Sequence, residues 1–141
     1  SAGSRHAFET YLSINRVKDL KPGLYRFVST THQLVPLQLE TSFNERLTEV
    51  CINQRHVATS AVTFIWAAIS ERMTWRYCER GYRYLYLDAG HVCQNLYLAA
   101  ESIGCGVCAI GAFDDDAADA LLSFTPPEMF VIYLATLGKK F

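Results

Sequence analysis

Two periods of hydrophobic and polar positions run along the chain, and together they predict a mixture of strands and helices. Residues 24–28 and 33–37 alternate on either side of a short polar turn, which predicts a hairpin. Further strands are predicted over 9–17 and 129–137. The run 59–69 is apolar almost throughout, which predicts a central strand buried on both faces.

Helices are predicted between these strands. Ser42, with Glu45 three residues later, is typical of a capping box and predicts a helix over 43–53. A short helix is expected over 70–79, and another from 114 to 122, where three aspartates stand at the positive end of the helix dipole. No repeat or linker interrupts the pattern, so one domain spanning 1–141 is expected.

The strongest helical signal follows Gly81. Ala89, Val92 and Leu96 recur at the 3.6-residue period, and Gly104 is a residue type that commonly ends a helix. Further apolar residues widen this stripe beyond one face. A helix that is apolar around most of its circumference is expected to be covered on both sides, which predicts a second subunit. Residues 105–111 then form a short strand or an extended loop.

Composition limits the classes of partner. Only 19% of the residues are charged, below the usual quarter, so a second subunit or a cofactor is expected to cover apolar surface. The net charge of −1 offers no basic field for nucleic acid. The longest apolar run, 57–69, is too short to span a bilayer. Five cysteines, an odd number, fit reduced thiols in a cytoplasmic protein.

Short motifs for catalysis or metal binding are few. Cys105 and Cys108 form a C-x-x-C pair, but the pair follows the end of a helix instead of beginning one, so a structural role is expected. The four histidines lack metal-ligand spacing, and no zinc site is predicted. No phosphate-binding loop or nucleophile elbow occurs in the chain.

The stretch 82–113 (YRYLYLDAGHVCQNLYLAAESIGCGVCAIGAF) is similar to the nitroreductase superfamily. It resembles most closely the branch of SagB-type dehydrogenases, which oxidise azoline rings in modified peptides. Residues 1–11, 23–37 and 131–139 resemble other parts of the same branch in the same order. The resemblance implies an α+β sandwich with a central, mostly antiparallel sheet flanked by helices. It also implies an interlocked homodimer with FMN at the interface.

The resemblance assigns the cofactor contacts to three segments. The loop beside the isoalloxazine and ribityl chain matches Ser1, Ala2, Gly3 and Ser4, followed by His6. The backbone along the ring edge matches Ala109, Ile110 and Gly111. Basic residues near the phosphate match Lys139 and Lys140.

Two features depart from the family pattern. The Arg-Ser-x-Arg stretch that holds the FMN phosphate in relatives is not among the 141 residues. The Lys-Tyr pair of the azoline-oxidising members is replaced by Arg76-Tyr77, and arginine is a poor proton acceptor because it stays protonated. Azoline oxidation is therefore not expected. Tyr77 is predicted to donate a proton, and Arg76 to hold an anionic group.

The resemblance implies an FMN-dependent oxidoreductase that takes hydride from NAD(P)H and reduces a small-molecule acceptor in ping-pong order. The flavin supplies the chemistry, so no side-chain nucleophile is required. Three alternatives stay open. The chain could be a non-catalytic dimeric binding protein with weak or no flavin binding, a fragment of a longer enzyme, or a dithiol redox protein that uses Cys105 and Cys108.

Overall fold

The computed structural model describes residues 1–140 and contains one six-stranded sheet. Every neighbouring pair of strands is antiparallel, and the order across the sheet is β3-β2-β1-β4-β6-β5. The strands are β1 (Phe8–Ile14), β2 (Gly23–Val28), β3 (Gln33–Gln38), β4 (Val62–Ile69), β5 (Cys105–Ile110) and β6 (Met129–Lys139). This confirms the predicted α+β class with its antiparallel sheet.

Five helices cover the two faces of the sheet. They are α1 (Phe43–Val50), α2 (Arg55–Thr59), α3 (Glu71–Tyr77), α4 (Gly81–Ser102) and α5 (Asp115–Leu122). Helices α1, α2 and α5 pack on the face that carries Ile65, while α3 and α4 pack on the face that carries Trp66. Because successive strand residues face opposite ways, β4 contributes to both cores. It is the predicted central strand.

The beginning of β4 differs from the prediction. The strand begins at Val62 rather than Thr59, because residues 55–59 form α2. In that helix the Thr59 hydroxyl donates to the carbonyl of Arg55 at 2.9 Å, so a β-branched residue is accommodated in a helical turn. Val57, in the same helix, is fully buried. The apolar run is thus shared between a helix and a strand, which hydrophobicity alone does not distinguish.

The two predicted helix starts have different outcomes. The capping box at Ser42 is wrong: Ser42 is itself helical (φ −70°, ψ −13°), and its hydroxyl lies 3.4 Å from a carboxylate oxygen of Glu40 instead of capping the helix. Asp114 does cap α5, since its Oδ1 accepts the N–H of Ala117 at 2.9 Å. A cap needs an extended backbone, and only Asp114 has one.

Helix α4 is about 33 Å long, as its 22 residues require. Leu85, Ala89 and Cys93 bury one face against the sheet. The opposite face is in solvent, where Leu87 is 54% and Leu98 is 63% exposed. The chain itself therefore covers only one side of this apolar helix. None of the helices within residues 1–140 has the length and apolarity needed to cross a membrane.

Candidate functional site

The segment 1–6 lies where β1 begins, at one end of the sheet. Residues Ala2–Ser4 form a 3₁₀ turn, and the N–H of Ala2 donates to both carboxylate oxygens of Asp88 on α4, at 3.0 and 2.8 Å. The hydroxyl of Ser1 accepts the N–H of His6 at 2.9 Å. The predicted flavin-contact loop is therefore held to α4 by a carboxylate that sequence reasoning did not single out.

Tyr77, predicted as a catalytic residue, packs directly against this loop. A Cβ placed on Gly3 would lie 2.2 Å from the Tyr77 hydroxyl oxygen, so any larger residue there would have to displace the Tyr77 side chain. Tyr77 also meets Tyr84 edge-on, with ring centroids 4.8 Å apart. Arg76 is exposed, and its guanidinium lies 5.6 Å from the centre of the Tyr77 ring. The structure brings Tyr77 and the loop together, with Arg76 beside them.

A cavity of about 570 Å³ opens beside the loop, between α4 and strands β1 and β2. We call it the loop cavity; its polar lining includes Ser1, His6, Asp88, His91 and Asn95. Nδ1 of His91 lies 2.7 Å from the carbonyl oxygen of Leu87, which can only accept, so Nδ1 carries the proton and Nε2 is left as an acceptor in the neutral ring. No lysine or arginine lines this cavity.

The predicted ring-edge segment lies on β5, the outermost strand on the other side of the sheet. Ile110 is buried at 1% exposure and pairs with Leu134 of β6. The N–H of Ala109 points away from β6 and donates to the Tyr97 hydroxyl at 2.9 Å. Gly111 follows the strand, and a Cβ there would meet nothing within 4 Å.

A second and larger recess, of about 1040 Å³, runs along the ends of β5 and β6 beside α2. We call it the basic recess; its cationic or protonatable lining residues are Arg16, Arg55, His56 and Lys139. Gly106 and Cys108 of β5 line it too, so it adjoins the ring-edge segment. Lys140 is not among the lining residues, because its ammonium pairs with Glu101 of α4.

Within residues 1–140, no carboxylate neutralises the charges of the basic recess. No aspartate or glutamate lines it, and none of the salt bridges within residues 1–140 involves Arg16, Arg55 or Lys139. The Nε2 atom of His56 is buried and has no hydrogen-bond partner in the described part of the chain. A buried polar atom without a partner is costly, so this arrangement suits an anionic or hydrogen-bonding ligand.

The loop and the basic recess lie at opposite ends of the sheet. Phe8, just after the loop, pairs with Ala68, which pairs with Phe130 near the start of β6. Lys139 is at the far end of β6, opposite Cys105. Nine residue rises separate Phe130 from Lys139, or about 30 Å of strand. A single chain therefore does not bring all of the predicted cofactor residues together.

Other candidate groups are not arranged for chemistry. Cys105 and Cys108 are three residues apart on β5, so their side chains leave opposite faces of the strand and cannot bridge while it is intact. No group of three histidine, cysteine or acidic side chains within residues 1–140 is arranged to hold a metal ion. The dithiol alternative thus has no geometric support.

Several residues at these sites were not found by sequence reasoning. The basic recess combines Arg16 from a turn with Arg55 and His56 from α2. No local spacing in the sequence connects these residues with Lys139. Asp88 and Tyr97 lie within the strong helical pattern of α4, where a polar residue is unremarkable. Only tertiary contacts identify their roles.

Comparison with known proteins gives a consistent family. The model of the nitroreductase family matches residues 1–139. A nitroreductase-family protein of Methanocaldococcus jannaschii is 31% identical over 140 residues, which cover 99% of this chain and 69% of that protein. The trifolitoxin-processing protein TfxB of Rhizobium leguminosarum bv. trifolii is 25% identical over 130 residues, covering 89% of this chain and 35% of that protein. This second similarity supports the SagB-type branch.

The solved structures agree. A nitroreductase-type protein from Anabaena variabilis superposes with a TM-score of 0.90 at 31% identity, covering 97% of this chain. The superposed part is 28% of the Anabaena chain, so the chain spans a minor part of that protein and about two thirds of the Methanocaldococcus protein. The fold and the sequence matches together show that the chain belongs to the nitroreductase family.

Proposed function

We propose that this chain is an FMN-dependent oxidoreductase of the nitroreductase type. It would take hydride from NAD(P)H and reduce a small-molecule acceptor in ping-pong order, as a homodimer with FMN between the two copies. The observation that carries the proposal is the basic recess, whose cations have no acidic partners among the described residues and which adjoins the ring-edge segment of β5.

The chemistry of the basic recess fits FMN. The phosphate of FMN is a dianion, and Arg16, Arg55 and Lys139 offer cationic donors without a competing carboxylate. His56 Nε2 is a buried, unpartnered atom that a cofactor oxygen or nitrogen would satisfy. These residues supply cationic groups even though the Arg-Ser-x-Arg stretch of relatives is not in the sequence. Lys140 contributes less in this proposal, because Glu101 already pairs with it.

The separation of the two predicted contact sets supports a dimeric site. The loop Ser1–Ser4 and Lys139 are farther apart in one chain than one FMN extends, so both can contact the same cofactor only if they come from different copies. The exposed apolar face of α4, with Leu87 and Leu98, offers a surface for the second copy. The family resemblance implies the same arrangement.

Within such a site, the residues of the chain would bind the flavin, orient it and shield it from solvent. Bound FMN supplies the hydride chemistry. The N–H of Ala109 faces the outer edge of β5 but is already bonded to the Tyr97 hydroxyl. Because N–H groups alternate between the two edges of a strand, the N–H of Ile110 faces β6. The next free donor on the outer edge is therefore the N–H of Gly111. Tyr77, held against Gly3, can offer its phenol proton to a reduced acceptor. The loop cavity leaves room for that acceptor or for nicotinamide.

The test is a titration of the purified chain with FMN and, separately, with riboflavin, followed by absorption and flavin fluorescence. The expected result is one FMN per chain, with riboflavin bound more weakly because it lacks the phosphate. Anaerobic addition of NADH or NADPH should then bleach the flavin band. A chain that dimerises but never retains FMN would contradict the proposal and favour the non-catalytic binding protein.

A matched pair of variants sharpens this test. Lys139→Ala should weaken FMN binding by roughly tenfold or more, as expected for loss of a charge-assisted hydrogen bond, and should leave riboflavin binding almost unchanged. Lys18→Ala removes a lysine that lines neither the basic recess nor the loop cavity, and it should leave the affinities for FMN and riboflavin unchanged. Equal losses for FMN and riboflavin in the Lys139 variant would exclude a phosphate role.

A further inference from the structure

The hydrogen bond between Tyr97 and Ala109 joins the long helix to the outer edge of the sheet. We propose that Tyr97 is a positioning residue that holds the edge of β5 in place, so that the free N–H of Gly111 is directed at the bound flavin. This inference rests on the proposed function, because it concerns the segment expected to line the flavin ring. It assigns a role to a side chain that acts through the backbone and does not itself touch the cofactor.

On the face of the sheet that α4 covers, the side chains of Val107 and Ala109 already pack β5 against the core. Within residues 1–140, β5 pairs with β6 on one edge only, so its outward N–H and C=O groups have no neighbouring strand. Gly104, Gly106 and Gly111 provide no side chains to pack around it. Ile110 fixes the strand by its burial, but it does so from the opposite face. The pairing with β6 and these side chains fix β5 as far as Ile110, and the backbone at Gly111 continues beyond the last paired residue.

Tyr97 supplies a hydrogen bond on the outer edge of β5, which has no neighbouring strand among residues 1–140. It projects from α4, which is held against the sheet by Ala89, Cys93 and Ala100, all at 3% exposure or less. Its hydroxyl oxygen accepts the N–H of Ala109 at 2.9 Å, two residues before Gly111. The contact therefore ties the outer edge of β5 to α4 and occupies the outward N–H of Ala109.

The placement of Tyr97 leaves its side chain partly open. The residue is 37% exposed, and its hydroxyl proton is not used in the bond from Ala109. Water can replace a phenol at such an edge, so loss of the hydroxyl should affect global stability only slightly. The same loss should have a larger effect on the rate of a step that depends on the geometry of Gly111, because hydride transfer is sensitive to small displacements.

The test compares Tyr97→Phe with wild type, both loaded with FMN. The variant keeps the ring and removes only the oxygen. We expect the FMN dissociation constant to stay within about twofold, and the rate of flavin reduction by NAD(P)H in anaerobic stopped flow to fall roughly tenfold. The flavin reduction potential should shift, which a purely structural role would not produce. Hydrogen exchange at the Ala109 amide should accelerate by roughly fivefold, as expected for one hydrogen bond.

Tyr86→Phe is the matched control. Tyr86 lies on the same helix, is 64% exposed, and its hydroxyl makes no hydrogen bond within the described residues. It should change none of the four measurements. If Tyr97→Phe reduces flavin at the wild-type rate with an unchanged potential, the inference fails while the proposed function stands. If wild type binds no FMN, both fail, and the exchange measurement still reports whether the contact exists.

Discussion

Replacing Gly3 by alanine is expected to destabilise the protein through two separable effects. Gly3 has φ +55°, a left-handed conformation that costs a residue with a Cβ about 1–2 kcal/mol. The new Cβ would also lie 2.2 Å from the Tyr77 hydroxyl oxygen, far inside contact distance. Tyr77 must then move and give up its edge-on contact with Tyr84, worth about 0.5–1.5 kcal/mol. The expected total is about 1.5–3.5 kcal/mol.

Two comparisons separate these effects. Gly104 also has a positive φ, +69°, but a Cβ there meets nothing within 4 Å, so Gly104→Ala should cost the backbone term alone. In a Tyr77→Phe background the nearest atom to the Gly3 Cβ becomes the ring Cζ at 3.2 Å, which a small shift relieves. Gly3→Ala should then cost about as much as Gly104→Ala.

The assay is urea unfolding followed by tryptophan fluorescence, with the free energy of unfolding compared at a constant m value. The double-mutant cycle should give a coupling between Gly3 and Tyr77 of about 1 kcal/mol. If Gly3→Ala and Gly104→Ala were equally costly, and the cost of Gly3→Ala did not change in the Tyr77→Phe background, the close packing of the loop on Tyr77 would be refuted. The placement of Ser1–Ser4 beside Tyr77, on which the proposed role of Tyr77 depends, would be refuted with it.

Three further perturbations test other parts of the structure. Leu85→Ala, at a fully buried position on the sheet-facing side of α4, should lower the free energy of unfolding by about 2–5 kcal/mol in the same urea assay. A loss below about 1 kcal/mol would contradict the packing of α4 on the sheet. Burial raises the pKa of the Cys51 thiol to about 11, so a thiol reagent at neutral pH should label the exposed Cys78 and leave Cys51 unmodified until the protein unfolds. Burial also raises the pKa of the Asp119 carboxyl, partly opposed by the N–H of Val131, so the folded state favours the protonated acid. The stability of wild type relative to Asp119→Asn should therefore fall as the pH rises from about 4 toward neutral, and a difference independent of pH would refute the raised pKa.

The local elements could be predicted because each is encoded by neighbouring residues. The hairpin of β2 and β3, the cap at Asp114 and the end of α4 at Gly104 all follow from short-range rules on turns, caps and positive φ. The errors arose where local signals were ambiguous. Ser42 has the composition of a cap but a helical backbone, and the apolar run before Val62 is equally compatible with a helix or a strand.

The family resemblance reached further than periodicity did, because it carried over contacts between distant segments. It assigned the loop Ser1–Ser4 and the residues Ala109–Gly111 to one cofactor site, a prediction that no spacing in the sequence indicates. The structure adds how these parts are held: Asp88 binds the N–H of Ala2, and Tyr97 binds the N–H of Ala109. Both side chains lie on α4, where the sequence pattern predicts only an amphipathic helix and neither of these contacts.

The sequence by itself determined the mixture of strands and helices, the β2–β3 hairpin and the wide apolar stripe of α4, because periodicity acts over a few residues, and the family resemblance implied the α+β sandwich. Only the tertiary structure decided that Arg55 and His56 share a recess with Lys139, and that this recess lies about 30 Å along the sheet from the loop at Ser1. Strand order and register set those distances. They depend on which strands pair across the whole chain, and that pairing is a property of the packed core that no short segment contains.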